Sequence, residues 1–268
     1  MAAIREPAVA GMFYPVERQE LKLNVDDLLK ATKFDVANAP AKPPKAIIAP
    51  HAGYIYSGPT AAEAYQLLKP YAQTYQRVVL LGPSHRVGFS GIATCSADYY
   101  QSPLGSIPLD KELTAKALRC TGVVCLDQAH LQEHSLEVHL PFLQAVLESF
   151  LLTPLVVGDC EPSICGGVIN TLWGDPGTLF VISSDLSHFL DYQTASRLDL
   201  ATCAAIEAFD GDAIHYEQAC GRNPIKGLLT AANSHPLEIA TLDLCNSGDT
   251  AGDKQKVVGY GAWAFWEK

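Results

Sequence analysis

Three histidines stand where runs of apolar residues end, and they are the residues best suited to chemistry in this sequence. His51 follows the run AIIAP, His85 follows VVLLGPS, and His188 closes the segment LFVISSDLSH. Open α/β sheets collect catalytic and binding residues just beyond the carboxyl ends of their strands. One such histidine alone is more often an ordinary loop residue, but three at three strand ends favour a shared site.

Neutral imidazole is the commonest metal ligand among side chains, so His51 and His85 are candidate ligands. The pattern leaves several further ligands open, namely Asp185, Glu133, Glu137, His188 or a cysteine. Cys220 stands out because CGRNP joins a thiol, a glycine turn and an arginine at the start of a predicted helix. We expect the arginine and the helix N-terminus to lower the pKa of the thiol and favour a metal-binding thiolate. The alternative is that Cys220 packs as a small apolar group.

Ionisable residues are densest in the segment EHSLEVHLP (133–141), which predicts the start of a helix over 134–149. On a helix, His134 and Glu137 are three residues apart and share a face. His139 would point about 140° away from His134. We therefore expect His134 and Glu137 to line the pocket and bind substrate, together with Arg222. The alternative is a helix start with solvated charges.

Strands and helices alternate along the chain, which predicts an α/β fold with a central mixed sheet flanked by helices in one layered domain spanning 1–268. Continuous apolar runs indicate strands covered on both faces. The proline-rich stretch 37–45 is interpreted as a loop within that domain. Predicted strands cover 46–50, 77–82, 151–157, 178–183 and 257–265, and predicted helices cover 17–32, 59–68, 110–119, 134–149, 192–219 and 222–232.

Composition narrows the classes of partner. Of the 268 residues, 48% are hydrophobic and 18% charged, and the formal net charge is −10. An acidic surface repels phosphate backbones and anionic lipids, so we expect neither nucleic acid nor membrane as a partner. The N-terminus lacks the apolar core of a secretory signal, so a cytoplasmic location is expected. Eight cysteines without CxxC pairs are interpreted mostly as buried thiols.

Six motifs carry a resemblance to a known family. They are PAVAGMFYP (7–15), APHAGYIYSG (49–58), LLGPSHRV (80–87), EHSLEVHLPFL (133–143), SSDLSHF (183–189) and CGRNPI (220–225). Together they resemble the Memo family, called mediator of cell motility in eukaryotes and AmmeMemoRadiSam system protein B in prokaryotes. The resemblance covers nearly the whole chain and implies a fold similar to class III extradiol dioxygenases, which are non-haem iron(II) enzymes.

The resemblance also implies roles for individual residues. His51, His85 and Cys220 match the family's metal triad, and Asp185 and His188 match the residues beside it. In the related dioxygenases the histidine resembling His188 acts as acid and base, so Asp185 and His188 are the catalytic candidates. A thiolate in place of the dioxygenase carboxylate makes the site softer. Iron(II) remains the expected metal, with copper or zinc as alternatives.

Three functions remain open from the sequence. The first is an iron(II)- or copper-dependent oxidoreductase with an unknown small-molecule substrate. The second is a non-enzymatic adaptor that binds a metal or a peptide in the same pocket. The third is a metal-assisted hydrolase in which zinc activates water. The prokaryotic family label also suggests a functional link to a radical-SAM protein.

Overall fold

The computed structural model describes residues 2–174 and 177–268. Its strands are β1 (Ile4–Arg5), β2 (Ala46–Ala49), β3 (Arg77–Pro83), β4 (Ile92–Thr94), β5 (Tyr99–Ser102), β6 (Gly105–Pro108), β7 (Val123–Cys125), β8 (Leu151–Val157), β9 (Thr178–Ser183), β10 (His188–Leu190), β11 (Leu237–Asn246) and β12 (Val257–Glu267). Its α-helices are α1 (Arg18–Lys30), α2 (Tyr54–Gln66), α3 (Lys111–Ala117), α4 (Asp127–Leu131), α5 (Leu140–Val146), α6 (Pro162–Leu172), α7 (Tyr192–Glu207) and α8 (Arg222–Ala231). None of the helices in these residues is long and apolar enough to cross a bilayer.

The main sheet is mixed and has the strand order β10-β12-β2-β9-β3-β8-β4-β7, with β11 also paired to β12. The four central strands β2, β9, β3 and β8 run parallel to one another. Strands β12 and β4 flank them in antiparallel pairs. A separate small sheet has the order β1-β5-β6. The predicted α/β architecture with a central mixed sheet flanked by helices is confirmed.

Both faces of the central strands are buried, which is why these strands are apolar throughout. Successive side chains of a strand point to opposite faces. Val78 and Leu80 of β3 pack with α1, α2 and α5 on one face, through residues such as Leu21, Tyr65 and Phe142. Val79 and Leu81 pack with α6, α7 and α8 on the other face, through residues such as Ile169, Ile206 and Leu228. This two-sided burial holds the strand ends rigidly.

Three predicted helices are wrong in extent, and one of them, predicted over 59–68, runs from Tyr54 to Gln66 with Pro59 inside it. The segment predicted as a helix over 134–149 forms a 3-10 turn at Glu137–His139 and then α5, with Pro141 in its first turn. Proline has no N–H for a helical hydrogen bond and is tolerated at a helix start, so the α-helix begins here. The helix predicted over 192–219 ends at Glu207, because Phe209 has a φ of 56° and cannot continue a right-handed helix.

The sheet places the candidate residues at one edge. Parallel pairing joins Ala49 of β2 to Ser183 of β9, and Leu81 of β3 to Ile182 of β9. The carboxyl ends of β2, β9 and β3 therefore lie side by side. The turns that carry His51 and His85 leave the sheet on either side of the turn that carries Asp185.

Candidate metal centre

Three imidazoles converge at this edge. His51, His85 and His134 each offer a ligand atom, and these atoms lie within 4.8 Å of one another. The ring centroids of His85 and His134 are 4.5 Å apart and their rings are stacked, while His51 meets His85 edge-on at 5.1 Å. Among the described residues this histidine-rich group could hold a divalent metal ion.

Two hydrogen bonds on its inner side fix His51. Its backbone N–H donates to Oδ1 of Asp185 at 2.7 Å, and its Nδ1 lies 2.6 Å from Oγ of Ser183. Nε2 faces the other way and lies 3.4 Å from Sγ of Cys220. Burial, followed by the neighbouring histidines His85 and His134, lowers the pKa of His51 well below the usual histidine value. The ring is therefore neutral near pH 7, as a metal ligand must be.

Glu133 orients His85. One carboxylate oxygen accepts from the backbone N–H of His85 at 2.5 Å, and the other lies 2.9 Å from Nδ1. Burial acts to raise the pKa of Glu133, but the bonds from His85 outweigh it and hold the pKa at about 2. No residue in the described ranges contacts Nε2 of His85 by a hydrogen bond. A carboxylate on the inner nitrogen is the usual partner of a metal-bound histidine.

His134 approaches from a different segment. Its backbone N–H donates to the same Glu133 carboxylate at 3.0 Å, and Phe13 packs against its ring with centroids 4.8 Å apart. Its Nδ1 is buried and lies 3.4 Å from Oε1 of Glu133, but no hydrogen bond to a described residue forms there. Burial and the neighbouring His85 lower the pKa of His134 to about 4. The sequence predicted His134 as a substrate contact, whereas the structure places its ring with the two strand-end histidines.

Cys220 stands just before α8, with its backbone N–H 3.3 Å from the carbonyl oxygen of Asp185. Gly221 follows because a Cβ at that position would come within 2.4 Å of the backbone oxygen of Ser183. The expected lowering of the thiol pKa is wrong: burial, with the Asp185 carboxylate second, raises the pKa of Cys220. Desolvation penalises the thiolate more than hydrogen bonds from Ser184 and the backbone of Asp185 and Gly221 favour it, so a bound cation is what would stabilise this thiolate.

The donor set fits a metal ion on two observations. In a tetrahedral site with metal–sulfur and metal–nitrogen distances of about 2.3 and 2.1 Å, the two donors lie about 3.6 Å apart. The Cys220 Sγ to His51 Nε2 distance of 3.4 Å is close to that separation. The ligand atoms of His51, His85 and His134 also lie within 4.8 Å of one another, close enough to share one ion.

A cavity of about 770 Å³ opens beside the cluster. His85, His188, Cys220 and Arg222 line it, together with the aromatic rings of Phe89 and Tyr216. The guanidinium of Arg222 lies over the ring of Tyr216 at 4.5 Å, and none of the described carboxylates forms an ion pair with it. Asp185 is not part of the wall, because its side chain is buried beneath His51.

Glu137, predicted to bind substrate, lies instead in the core. Its carboxylate pairs with the buried guanidinium of Arg5 and accepts from Tyr14 Oη at 2.5 Å and from the backbone N–H groups of Ala8 and Val9. The predicted shared helix face with His134 does not exist, since His134 lies outside any helix and a turn at 135–136 separates it from Glu137.

Sequence reasoning missed Ser183 and His139 as parts of this region. Nε2 of His139 and Nδ1 of His51 both contact Oγ of Ser183, at 2.8 and 2.6 Å. A serine in an apolar strand carries no signal of this kind. His139 was set aside because its angle was measured on a helix that does not form.

Comparison with known proteins identifies similar sequences along nearly the whole chain. A family model described as Memo-like protein matches residues 5–264. A MEMO1 family protein of Aquifex aeolicus is 36% identical over 96% of this chain and 97% of its own length. A MEMO1 family protein of Methanosarcina mazei is 37% identical, with coverage of 97% and 98%.

Among solved structures, an uncharacterized protein from Escherichia coli K12 is similar with a TM-score of 0.53. The match covers 81% of this chain and 98% of that chain at 13% sequence identity. At that identity the likeness concerns the fold alone.

Proposed function

Because the chain belongs to the Memo family, we propose that it binds iron(II) on His51, His85 and Cys220 and acts as an oxidoreductase on a small anionic molecule. The observation that carries the proposal is the open Nε2 of His51, 3.4 Å from the thiol of Cys220. Two imidazoles and one anionic ligand leave coordination positions of iron(II) free for substrate and an oxidant.

Hydrogen bonding on the inner side supports this donor set. Ser183 and Glu133 occupy Nδ1 of His51 and of His85, so each ring presents Nε2 outward. Such partners raise the basicity of ligating histidines and fix their orientation. His134 is the competing third or fourth ligand, because it lies within the same group.

The cavity supports the assignment of a substrate class. Arg222 is a cation on the wall, and no carboxylate among the described residues pairs with it, so it suits a carboxylate or another planar anion by bidentate bonding. Phe89 and Tyr216 provide apolar surface for the rest of the molecule. The acidic side chains of Asp159 and Glu217 on the same wall disfavour molecules with several negative charges.

His188 is the proposed proton-transfer group. It lines the cavity together with His85 and Cys220, and imidazole is the side chain most often used for general acid–base catalysis. Asp185 holds the backbone of His51 in place and so keeps that ring at the strand end.

Metal analysis tests the ligand set. Protein purified without oxygen is analysed as wild type and as His85→Ala, Cys220→Ser and His134→Ala, with Cys125→Ser and His235→Ala as matched controls away from the cluster. We expect near-stoichiometric iron in the wild type and both controls, and loss in His85→Ala and Cys220→Ser. Retention in Cys220→Ser with loss in His134→Ala would replace the thiolate by the third imidazole. Wild-type protein without metal would contradict the proposal.

The redox assignment has its own test. Iron-loaded protein is exposed to oxygen with a panel of small carboxylates, and the iron oxidation state and product formation are followed. Arg222→Gln should weaken carboxylate binding while retaining iron. Zinc in place of iron, with ester or phosphate hydrolysis, would favour the hydrolase, and bound carboxylate that is never converted would favour the adaptor.

A further inference from the structure

Ser183 lies behind the proposed metal ligands and has three polar neighbours at one oxygen. Its Oγ is 2.6 Å from the backbone oxygen of Ser135, 2.6 Å from Nδ1 of His51 and 2.8 Å from Nε2 of His139. All of these groups are buried, and Ser183 itself has no exposed surface.

Counting protons at Ser183 fixes the direction of each bond. A hydroxyl has one hydrogen and two lone pairs. The carbonyl oxygen of Ser135 can only accept, so the hydroxyl hydrogen of Ser183 points to it. Both lone pairs then remain for the histidines, and His51 and His139 must each donate an N–H.

The second nitrogen of His139 agrees with this assignment. With its hydrogen on Nε2, the neutral ring has a lone pair on Nδ1. Tyr65 Oη lies 2.8 Å from that nitrogen and donates to it. We call Tyr65, His139, Ser183 and Ser135 the serine relay, and every donor in it has an acceptor.

The fold brings Ser135 to the strand end through a close approach. A Cβ on Gly82 would lie 2.8 Å from Oγ of Ser135 and 3.1 Å from Cβ of Ser183. Only glycine at this position lets the 135–136 segment pack against β3 and β9 without displacement. Oγ of Ser135 in turn donates to the carbonyl oxygen of Pro83 at 2.8 Å.

We propose that the serine relay is a positioning device that holds His51 as the tautomer with hydrogen on Nδ1, so that Nε2 presents a lone pair to the metal. The opposite tautomer would point an N–H at Cys220 and could not ligate. Ser183 and His139 touch neither the metal nor the cavity. The purpose of this tautomer, metal binding, rests on the proposed function. The tautomer itself is a property of the metal-free protein and can be measured there.

Nuclear magnetic resonance of histidine-labelled, metal-free protein measures this directly, because two-bond ¹H–¹⁵N correlations distinguish the two tautomers of each ring. The variants are Ser183→Ala, His139→Leu and His139→Gln, in which the amide can still donate to Ser183 and accept from Tyr65. Tyr100→Phe is the matched control, since it removes a similar tyrosine–histidine bond at His130. Each variant is also titrated with iron(II) alone under argon, and its melting temperature is recorded.

We expect hydrogen on Nδ1 of His51 in the wild type and in Tyr100→Phe. Ser183→Ala should move it to Nε2 and weaken iron(II) binding about 10–100-fold, as loss of such partners does elsewhere. His139→Leu leaves the bond from the Ser183 hydroxyl to Ser135 in place, so this variant and His139→Gln should both keep the wild-type tautomer of His51.

A wild-type His51 protonated on Nε2 would overturn the inference, whether or not any variant folds. Unchanged tautomer and iron affinity in folded Ser183→Ala would overturn it as well. If the wild type binds no iron but carries hydrogen on Nδ1, the proposed function fails while the tautomer assignment stands.

Discussion

The segment 130–139 carries two buried glutamates with opposite surroundings. Glu137 faces the N-terminal segment and accepts from Arg5, Tyr14 and the backbone N–H groups of Ala8 and Val9, all of them structural contacts. Glu133 is buried behind His85 and contacts the backbone N–H and Nδ1 of that residue, whose outer nitrogen stays open. The carboxylate of Glu137 therefore stabilises the fold, whereas that of Glu133 orients His85 as a potential metal ligand.

The histidines of the region divide in the same way. His130 uses both nitrogens, with Tyr100 on Nδ1 and the carbonyl oxygen of Ala93 on Nε2. His139 uses both as well, with Tyr65 and Ser183. His51 and His85 use only the inner nitrogen for this support. A buried imidazole whose two nitrogens are both hydrogen-bonded stabilises the fold. An imidazole whose outer nitrogen points toward other potential metal ligands can bind a metal.

The largest expected effect is on stability, and it comes from a change at the structural glutamate, Glu137. Glu137→Gln leaves the guanidinium of Arg5 buried without a counter-charge, so the free energy of unfolding should fall by about 3–5 kcal/mol. Iron bound per folded molecule should not change. Urea unfolding and metal analysis measure the two quantities. Asp26→Asn, which removes the exposed pair with Lys22, should cost under about 1 kcal/mol.

On the other side of the contrast, Glu133→Gln should act mainly on the metal. The amide NH₂ of glutamine faces groups that themselves donate, so His85 loses its orientation and iron(II) affinity should fall about 10–100-fold. The free energy of unfolding should decrease by about 1–3 kcal/mol, less than for Glu137→Gln. Iron(II) titration beside urea unfolding separates these outcomes. Equal loss of stability in both variants, with iron affinity intact, would erase the distinction between the two glutamates.

The smallest effect sharpens the contrast through pH. Burial lowers the pKa of His130 to about 4 and that of His139 to about 3, from 6.5. Between these values and pH 6.5 the unfolded chain binds more protons than the folded chain, so the free energy of unfolding of the metal-free protein should fall with acidification. The slope is at most about 1.4 kcal/mol per pH unit for each histidine. Urea midpoints from pH 7 to 5 measure the slope. Because desolvation causes it, added salt should not abolish it, and a flat profile would contradict these pKa values.

Much of the architecture could be predicted from local pattern. Strands 151–157 and 178–183 and the helix start at 222 follow from apolar runs and a glycine turn, and the structure confirms them. Strand β11 was missed, since Leu237–Asn246 mixes polar and apolar residues on a partly exposed strand. The errors at 134–149 and 192–219 arise where Pro141 and a left-handed Phe209 override a helical pattern.

The sequence by itself determined that His51, His85 and Asp185 leave the same edge of a sheet, because apolar runs specify parallel strands whose ends must coincide. Only the tertiary structure decided which neighbours meet them there. It brought His134 beside the strand-end histidines, sent Glu137 to Arg5, and set the hydroxyl of Ser183 between His51 and His139. These choices depend on angles and distances between segments far apart in the chain, and hydrogen bonds form only within a few tenths of an ångström, which no spacing of residue types encodes.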